Sequence, residues 1–138
     1  MQEQFRYSVG PEDPARIRAL VTSSGFFNEE EIAVAGELAE ERLAEGEPCS
    51  YRFVFLERDG KMAGYSCYGH IPGTAASYDL YWIAVHESCR GGGLGVRILE
   101  ETNRCIREAG GRRVYAETSS REQYRPTQRF YEKNGFYL

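Results

Sequence analysis

The feature that most constrains the fold is the run from Tyr78 to Ala109, which is typical of a strand, a glycine-rich turn and a helix in succession. Tyr78–Val85 is aromatic and β-branched, as in a buried strand. Residues 94–109 carry apolar side chains at helical spacing, and Gly110-Gly111 is expected to end that helix. A buried strand that turns directly into an amphipathic helix indicates an α/β fold.

The turn reads Arg90-Gly91-Gly92-Gly93-Leu94-Gly95. Glycine loses more backbone freedom on folding than any other residue, so this concentration indicates a backbone that must pass close to a ligand. The start of a helix has unpaired N–H groups and a partial positive charge, to which Arg90 adds a full one. These features favour a phosphate site at the junction, although a plain tight turn would also accommodate the glycines.

Two common phosphate-binding motifs are excluded by the residues around and after these glycines. A Walker loop requires Lys and then Ser or Thr after its last glycine, whereas Gly95 is succeeded by Val96-Arg97. The dinucleotide fingerprint Gly-x-Gly-x-x-Gly ends at Val96 if it starts at Gly91, and at Ile98 if it starts at Gly93.

Two other blocks resemble one known family. Arg90-x-x-Gly93-x-Gly95, after a strand that ends Ile83-Ala84-Val85, resembles the acyl-CoA pyrophosphate loop of the GNAT superfamily of N-acetyltransferases. The block from Arg129 to Phe136 is similar to the helix that precedes the sixth strand of that family. The resemblance spans roughly residues 5–138. It implies one domain over 1–138, an α/β fold with a mixed, splayed central sheet, and helices on both faces.

The resemblance also implies a reaction. Acetyl-CoA would be the co-substrate, and its acetyl group would pass to a primary amine of a small molecule or peptide by direct attack in a ternary complex. Tyr131 occupies the place of the family's general-acid tyrosine, and Asp79 the place of a carboxylate base, with Tyr81 as its alternative. Asp79 and Ile83 are four residues apart, which predicts that they share a face of the strand. The expected cofactor-binding residues are Ile83, Ala84, Val85, Arg90, Gly91, Gly92, Gly93, Leu94, Gly95 and Val96.

The chain departs from the family pattern at three places. Tyr124 and Thr127 stand where the family often has Asn and Ala, and the chain stops at Leu138, where family members continue with closing strands. We therefore expect a sheet without those strands and a homodimer that covers its open edge. The alternative to an enzyme is a non-catalytic module of the same fold that binds acyl-CoA or dimerises.

Composition narrows the possible partners. A length of 138 residues suits one domain with a sizeable core, and a formal charge of -4 argues against a nucleic-acid surface. The sequence has neither an apolar stretch long enough for a bilayer nor the apolar region of a signal peptide. The four cysteines form no Cys-x-x-Cys pair, so we expect reduced thiols, no metal site and a cytoplasmic location.

The rest of the chain alternates between strand and helix signals. Asn28 with Glu31 is typical of a capping box, and Asp59-Gly60 of a tight hairpin. Asp13 is predicted to cap a helix whose first residue is Pro14, and the last helix is predicted to begin at Pro126 and to end at Asn134-Gly135. The remaining predicted strands cover residues 5–9, 51–56, 62–69 and 114–118.

Overall fold

The computed structural model describes residues 2–116 and 125–136. In that part of the chain a five-stranded sheet has the order β1-β2-β3-β4-β5. Neighbours from β1 to β4 are antiparallel, and β5 is parallel to β4, so the predicted mixed sheet is confirmed. The strands are β1 (Glu3–Arg6), β2 (Arg52–Arg58), β3 (Lys61–His70), β4 (Ser77–Val85) and β5 (Arg113–Ala116).

Helices cover both faces of the sheet, as predicted. They are α1 (Asp13–Ser24), α2 (Glu29–Glu45), α3 (Leu94–Glu108) and α4 (Arg125–Lys133). Phe53 and Phe55 of β2 pack with the buried residues of α1 and α2, whereas Val54 packs with those of α3 and α4. Because β2 is buried on both sides, it has no polar face and its sequence shows no clean alternation.

Two local sequence signals are confirmed in detail. The Asn28 side chain accepts a hydrogen bond from the Glu31 amide at 2.8 Å, and the Glu31 carboxylate accepts one from the Asn28 amide at 2.9 Å. Asp59 and Gly60 both have positive φ, 52° and 79°, as a type I′ turn requires. The turn joins β2 to β3, and the capping box starts α2.

The beginning of the chain differs from the prediction. β1 ends at Arg6 rather than Val9, because the Arg6 guanidinium turns to Asp13 and donates two hydrogen bonds, at 2.7 and 2.9 Å. Asp13 lies inside α1 rather than capping it, with its carboxylate buried and accepting a third bond from the Gly10 amide at 2.7 Å. Burial opposes ionisation of Asp13, but Arg6 and the Gly10 amide outweigh it and lower the pKa of this carboxyl.

β4 contains one residue more than its partner β3. Trp82 lies opposite Cys67 and Leu80 opposite Tyr68, which leaves Tyr81 as a bulge. Leu80 and Ile83 pack on the α3 side of the sheet, whereas Ala84 packs on the α1 side. Asp79 alternates with Leu80 and therefore lies on the face opposite Ile83. The prediction that Asp79 and Ile83 share a face is wrong, because the bulge reverses the alternation between them.

The parallel part of the sheet pairs Ser77–Leu80 of β4 with Arg113–Ala116 of β5. β4 continues to Val85, while the last two residues of the predicted fifth strand, 117 and 118, lie outside the described residues. Separation of the two strands beyond Leu80 therefore stays a prediction. The four cysteines all lie in the described part, where they are free thiols, and no helix described there is long and apolar enough to cross a membrane.

Candidate functional site

A cavity of about 250 Å³ lies alongside the carboxyl end of β4. Its lining brings together five of the residues predicted to bind the cofactor, which are Ile83, Ala84, Val85, Arg90 and Gly95. The other walls come from the end of α1 and the turn after it, and from α4. These additional lining residues are Ser24, Phe26, Phe27 and Phe130.

The positive end of the cavity is formed by Arg90 and the start of α3. No side chain caps this helix, and the first amides of a helix lack acceptors within it. Gly93 precedes the helix at φ 75°, a left-handed conformation that glycine adopts without strain. An anion at this end would meet backbone N–H groups, the positive end of the helix dipole and a guanidinium.

The remaining predicted cofactor residues lie next to the cavity rather than in its lining. Gly91, Gly92 and Gly93 are exposed and form the turn itself. The Leu94 side chain is buried in the core with Leu56 and Ile98, so only its backbone can face a ligand. Val96 comes in the first turn of α3.

Hydrogen bonds attach the β4–α3 loop to the end of α1. Arg90 Nη2 donates to the Ser24 carbonyl at 2.8 Å, and the Arg90 guanidinium carbon lies 5.2 Å from the centre of the Phe26 ring. The Glu87 amide donates to Ser23 Oγ at 3.1 Å. His86 has a structural role here, because its Nδ1 accepts from the Ser88 amide at 3.1 Å and so starts the short 3₁₀ turn over Glu87–Cys89.

Phe130 closes the cavity from the side of α4. A Cβ atom at Gly95 would lie 3.2 Å from Cε1 of the Phe130 ring, so this ring packs directly on the glycine. On the opposite side the Phe27 ring lies 5.1 Å from the Trp82 ring of β4. The cavity is thus bounded by aromatic rings on two sides and by the strand between them.

Tyr131 does not line this cavity. Its side chain is only 8% exposed and packs with Leu80, Leu99 and Ile106, with the Phe136 ring at 5.1 Å. Burial raises the pKa of Tyr131 to about 12. The residue lines a second cavity of about 490 Å³, formed with α3 and β5. Phe130 rather than Tyr131 therefore lines the cavity with the predicted cofactor residues, although one of those residues, Ile83, packs against the same buried cluster as Tyr131.

The two residues considered as bases lie next to each other at the bulge. Tyr81 is 39% exposed and makes an edge contact with the Tyr51 ring at 5.4 Å. Burial, together with the smaller effect of the negative charge of Asp79, raises the pKa of Tyr81. Neither Asp79 nor Tyr81 belongs to the lining of the cavity alongside β4.

Sequence reasoning did not predict the walls contributed by Ser24, Phe26, Phe27 and Phe130. A signal for two of them was present, since Gly25-Phe26-Phe27 places two large apolar rings in a turn just after a helix. Such residues are usually buried, so their position in a turn indicates a surface that packs against something else. For Phe130, the neighbouring Tyr131 drew the functional prediction instead.

Residues 49–138 match the family of acetyltransferase (GNAT) domains. The chain belongs to this GNAT family. The match contains β2 to β5, α3, α4 and the glycine-rich turn, which are the elements that form most of the cavity. The end of α1 and the turn after it, which supply the remaining wall, precede the matched region.

Solved structures agree with the GNAT assignment. A protein from Desulfovibrio desulfuricans, described as an acetyltransferase of the GNAT family, is 47% identical and superposes with a TM-score of 0.94 over 99% of this chain and 85% of its own. The PaiA N-acetyltransferase of Thermoplasma acidophilum, in complex with coenzyme A, is 20% identical with a TM-score of 0.76, over 100% of this chain and 91% of its own.

A more distant structure shares the GNAT fold. The aminoglycoside N-acetyltransferase AAC(6')-Iy, in complex with CoA, is 16% identical with a TM-score of 0.70, over 99% of this chain and 89% of its own. At such identity the likeness concerns the fold alone. A comparison with curated proteins finds no match.

Proposed function

We propose that this protein transfers an acetyl group from acetyl-CoA to a primary amine of a small molecule or peptide. The observation that carries the proposal is the cavity alongside residues 83–85, which ends at Arg90 and at the uncapped start of α3. A largely apolar cavity along a strand, with one cationic end, suits an extended thioester arm attached to a pyrophosphate. Structures of relatives with bound coenzyme A support the same ligand.

The binding contributions can be assigned from the chemistry of the lining. Arg90 and the first amides of α3 would hold the pyrophosphate, and glycines in the turn would let it approach the backbone. The edge of β4 at Ile83–Val85 would bond the amide groups of the pantetheine arm as a short additional strand. A strand amide at this edge would also polarise the thioester carbonyl, which becomes negative as the amine attacks.

The transfer is balanced without any further reagent. The neutral amine nitrogen attacks the thioester carbonyl carbon, a C–N bond forms, and the C–S bond breaks. The nitrogen loses one proton and the departing thiolate gains one, so the products are an N-acetyl amide and free CoA. Two proton transfers are therefore required, one from the amine and one to sulfur.

Asp79 and Tyr131 remain our proposals for these two transfers. Asp79 lies on β4 beside the bulge, where it would take a proton from the amine directly or through water. Tyr131, with a pKa of about 12, stays protonated at neutral pH, as a proton donor must. Tyr131 packs in the same buried cluster as Ile83, so in this role its hydroxyl would approach the sulfur from the side of β4 that α4 covers.

The absence of Tyr131 from the cavity lining supports a second candidate, a module of the GNAT fold that binds acyl-CoA without transferring the acyl group. In such a protein Phe130 would form the wall of the site, and Tyr131 would be a core residue. Binding of acetyl-CoA cannot distinguish the two candidates, because both require it.

Release of free CoA in the presence of amines distinguishes them. The purified protein is mixed with acetyl-CoA and a panel of small amines and amine-bearing peptides, and the free thiol is measured. An enzyme releases CoA with at least one amine well above the rate without protein. Tyr131→Phe should then lower turnover by roughly 10²–10⁴-fold, the usual contribution of a positioned acid.

Tyr115→Phe is the matched control for that substitution, because it removes the same hydroxyl group from an exposed tyrosine on β5. It should leave turnover unchanged. Asp79→Asn should slow turnover mainly at lower pH, where most of the amine is protonated and needs a base. If CoA binds but no amine releases it, the binding module is the better description. Full activity of Tyr131→Phe would remove the tyrosine from the mechanism.

A further inference from the structure

We infer that Phe27, supported by Trp82, ends the acyl side of the cavity and restricts the donor to short acyl groups. The inference rests on the proposed function, since it assumes that acyl-CoA occupies the cavity alongside β4. It adds a residue outside the matched family region that determines which acyl-CoA can bind.

The two ends of the cavity have different chemistry. Arg90 lies at one end, where its guanidinium contacts the Phe26 ring and the Ser24 carbonyl. Phe27 also lines the cavity, and its ring packs against Trp82, which directly precedes Ile83 in the strand. With the pyrophosphate at Arg90, an arm extended along Val85, Ala84 and Ile83 brings its thioester and acyl group toward Phe27.

Phe27 is held where it stands from both directions. Its ring contacts the Trp82 ring, and both side chains pack against the buried core formed by α1, α2 and the sheet. The turn that carries Phe27 comes after α1, whose last residues are tied to the β4–α3 loop through Ser23 and Ser24. A ligand that pushed Phe27 aside would disturb both sets of contacts.

The space available is small. The cavity of about 250 Å³ is below the ~300–1,000 Å³ typical of small-molecule pockets. We therefore expect an acyl chain longer than acetyl to meet the Phe27 ring and either displace it or bend away from the strand. One additional methylene in an apolar pocket changes discrimination between ligands by roughly 10–200-fold. We expect hexanoyl-CoA to bind at least about tenfold more weakly than acetyl-CoA.

Calorimetric titration tests this without any acceptor. Dissociation constants are measured for CoA, acetyl-CoA, butyryl-CoA and hexanoyl-CoA with the parent protein and with Phe27→Ala. Removing the ring should abolish most of the difference between hexanoyl-CoA and acetyl-CoA, while the affinity for unacylated CoA changes less than about threefold, equivalent to ~0.7 kcal/mol. Phe27→Leu should give an intermediate result, and it keeps the test usable if Phe27→Ala does not fold.

Phe26→Ala is the matched control, because it removes the same ring from the adjacent residue at the phosphate end. Its ratio of hexanoyl-CoA to acetyl-CoA affinity should equal that of the parent. The inference is overturned if the parent binds both donors equally, if Phe27→Ala and Phe27→Leu keep the preference, or if Phe26→Ala relieves it equally. Failure of every CoA species to bind would instead overturn the proposed cofactor site.

Discussion

Replacing Gly95 by alanine tests the contact on which the cofactor cavity depends. A Cβ atom at this position would lie 3.2 Å from Cε1 and 3.5 Å from Cζ of Phe130, and 3.9 Å from Cγ2 of Val85. The first of these distances is too short for two carbon atoms, so the Phe130 ring must move by a few tenths of an ångström. Since Val85 lies on the strand, the ring is the part that can give way.

The expected magnitude combines two opposing effects. Overpacking a buried site costs about 1–3 kcal/mol. Alanine is favoured over glycine in a helix by up to ~1 kcal/mol, and Gly95 is the second residue of α3. The free energy of unfolding should therefore fall by roughly 0–3 kcal/mol. The displaced ring faces the cavity, and we expect CoA affinity to fall about tenfold, equivalent to ~1.4 kcal/mol.

Urea denaturation and calorimetric titration with CoA measure the two effects separately. The double variant with Phe130→Leu tests the cause, because a smaller side chain leaves room for the alanine methyl. In the double-mutant cycle, Gly95→Ala and Phe130→Leu should show a coupling energy of about 0.5–3 kcal/mol. Unchanged CoA affinity in a folded Gly95→Ala protein, with additive effects in the cycle, would refute the reasoning.

Two further predictions concern the loop and the buried ion pair. Gly93→Asp and Gly93→Asn impose the same strain at φ 75°, but only aspartate places a negative charge at the start of α3. Calorimetry with CoA should thus show at least about tenfold weaker binding for Asp than for Asn, whereas equal affinities would place the phosphates elsewhere. Arg6→Met should lower the free energy of unfolding at pH 7 by at most about 3–5 kcal/mol, because it leaves the buried Asp13 carboxylate with only the more distant cation of Arg16, 3.9 Å away. The pKa of Asp13 is lowered in the folded protein, so the ion pair stabilises the fold above the unfolded pKa of about 3.9, and this stabilisation is lost as pH falls through the folded pKa. If urea denaturation shows that Arg6→Met loses as much unfolding free energy at pH 2 as at pH 7, the stabilising role of this ion pair is contradicted.

The sequence predicted the ends of helices best where a single local interaction or backbone conformation determines them. Asn28 and Glu31 satisfy each other's backbone groups and fix the start of α2. Gly110, at φ 94°, comes just after the end of α3, which lies within a residue of its predicted limit. The first strand was placed too late because the tertiary ion pair between Arg6 and Asp13 overrides the alternation of apolar residues there.

The candidate site was predicted only along one side. The glycines and Arg90 could be found because their chemistry is local and continuous in sequence. The opposite wall comes from the turn after α1, nearly sixty residues earlier, and only packing of α1 on the sheet brings Phe27 to β4. Spacing along the chain also cannot determine whether Phe130 or Tyr131 faces the cavity. The rotation of this short helix about its own axis decides which of two adjacent side chains points there, and that rotation depends on packing against the sheet.

The bulge at Tyr81 has a consequence for insertions and deletions in this strand. Adding a residue to a regular strand turns every side chain beyond it to the other face. Here Leu80 and Trp82 already lie on opposite sides of the sheet, as two consecutive residues of a regular strand would. They are also paired with two consecutive residues of β3, Tyr68 and Cys67. A strand with Tyr81 deleted would therefore keep each core residue on its present side and close the ladder without a gap. The core has no need of the extra residue, whose effect on the strand is to place Asp79 on the face opposite Ile83.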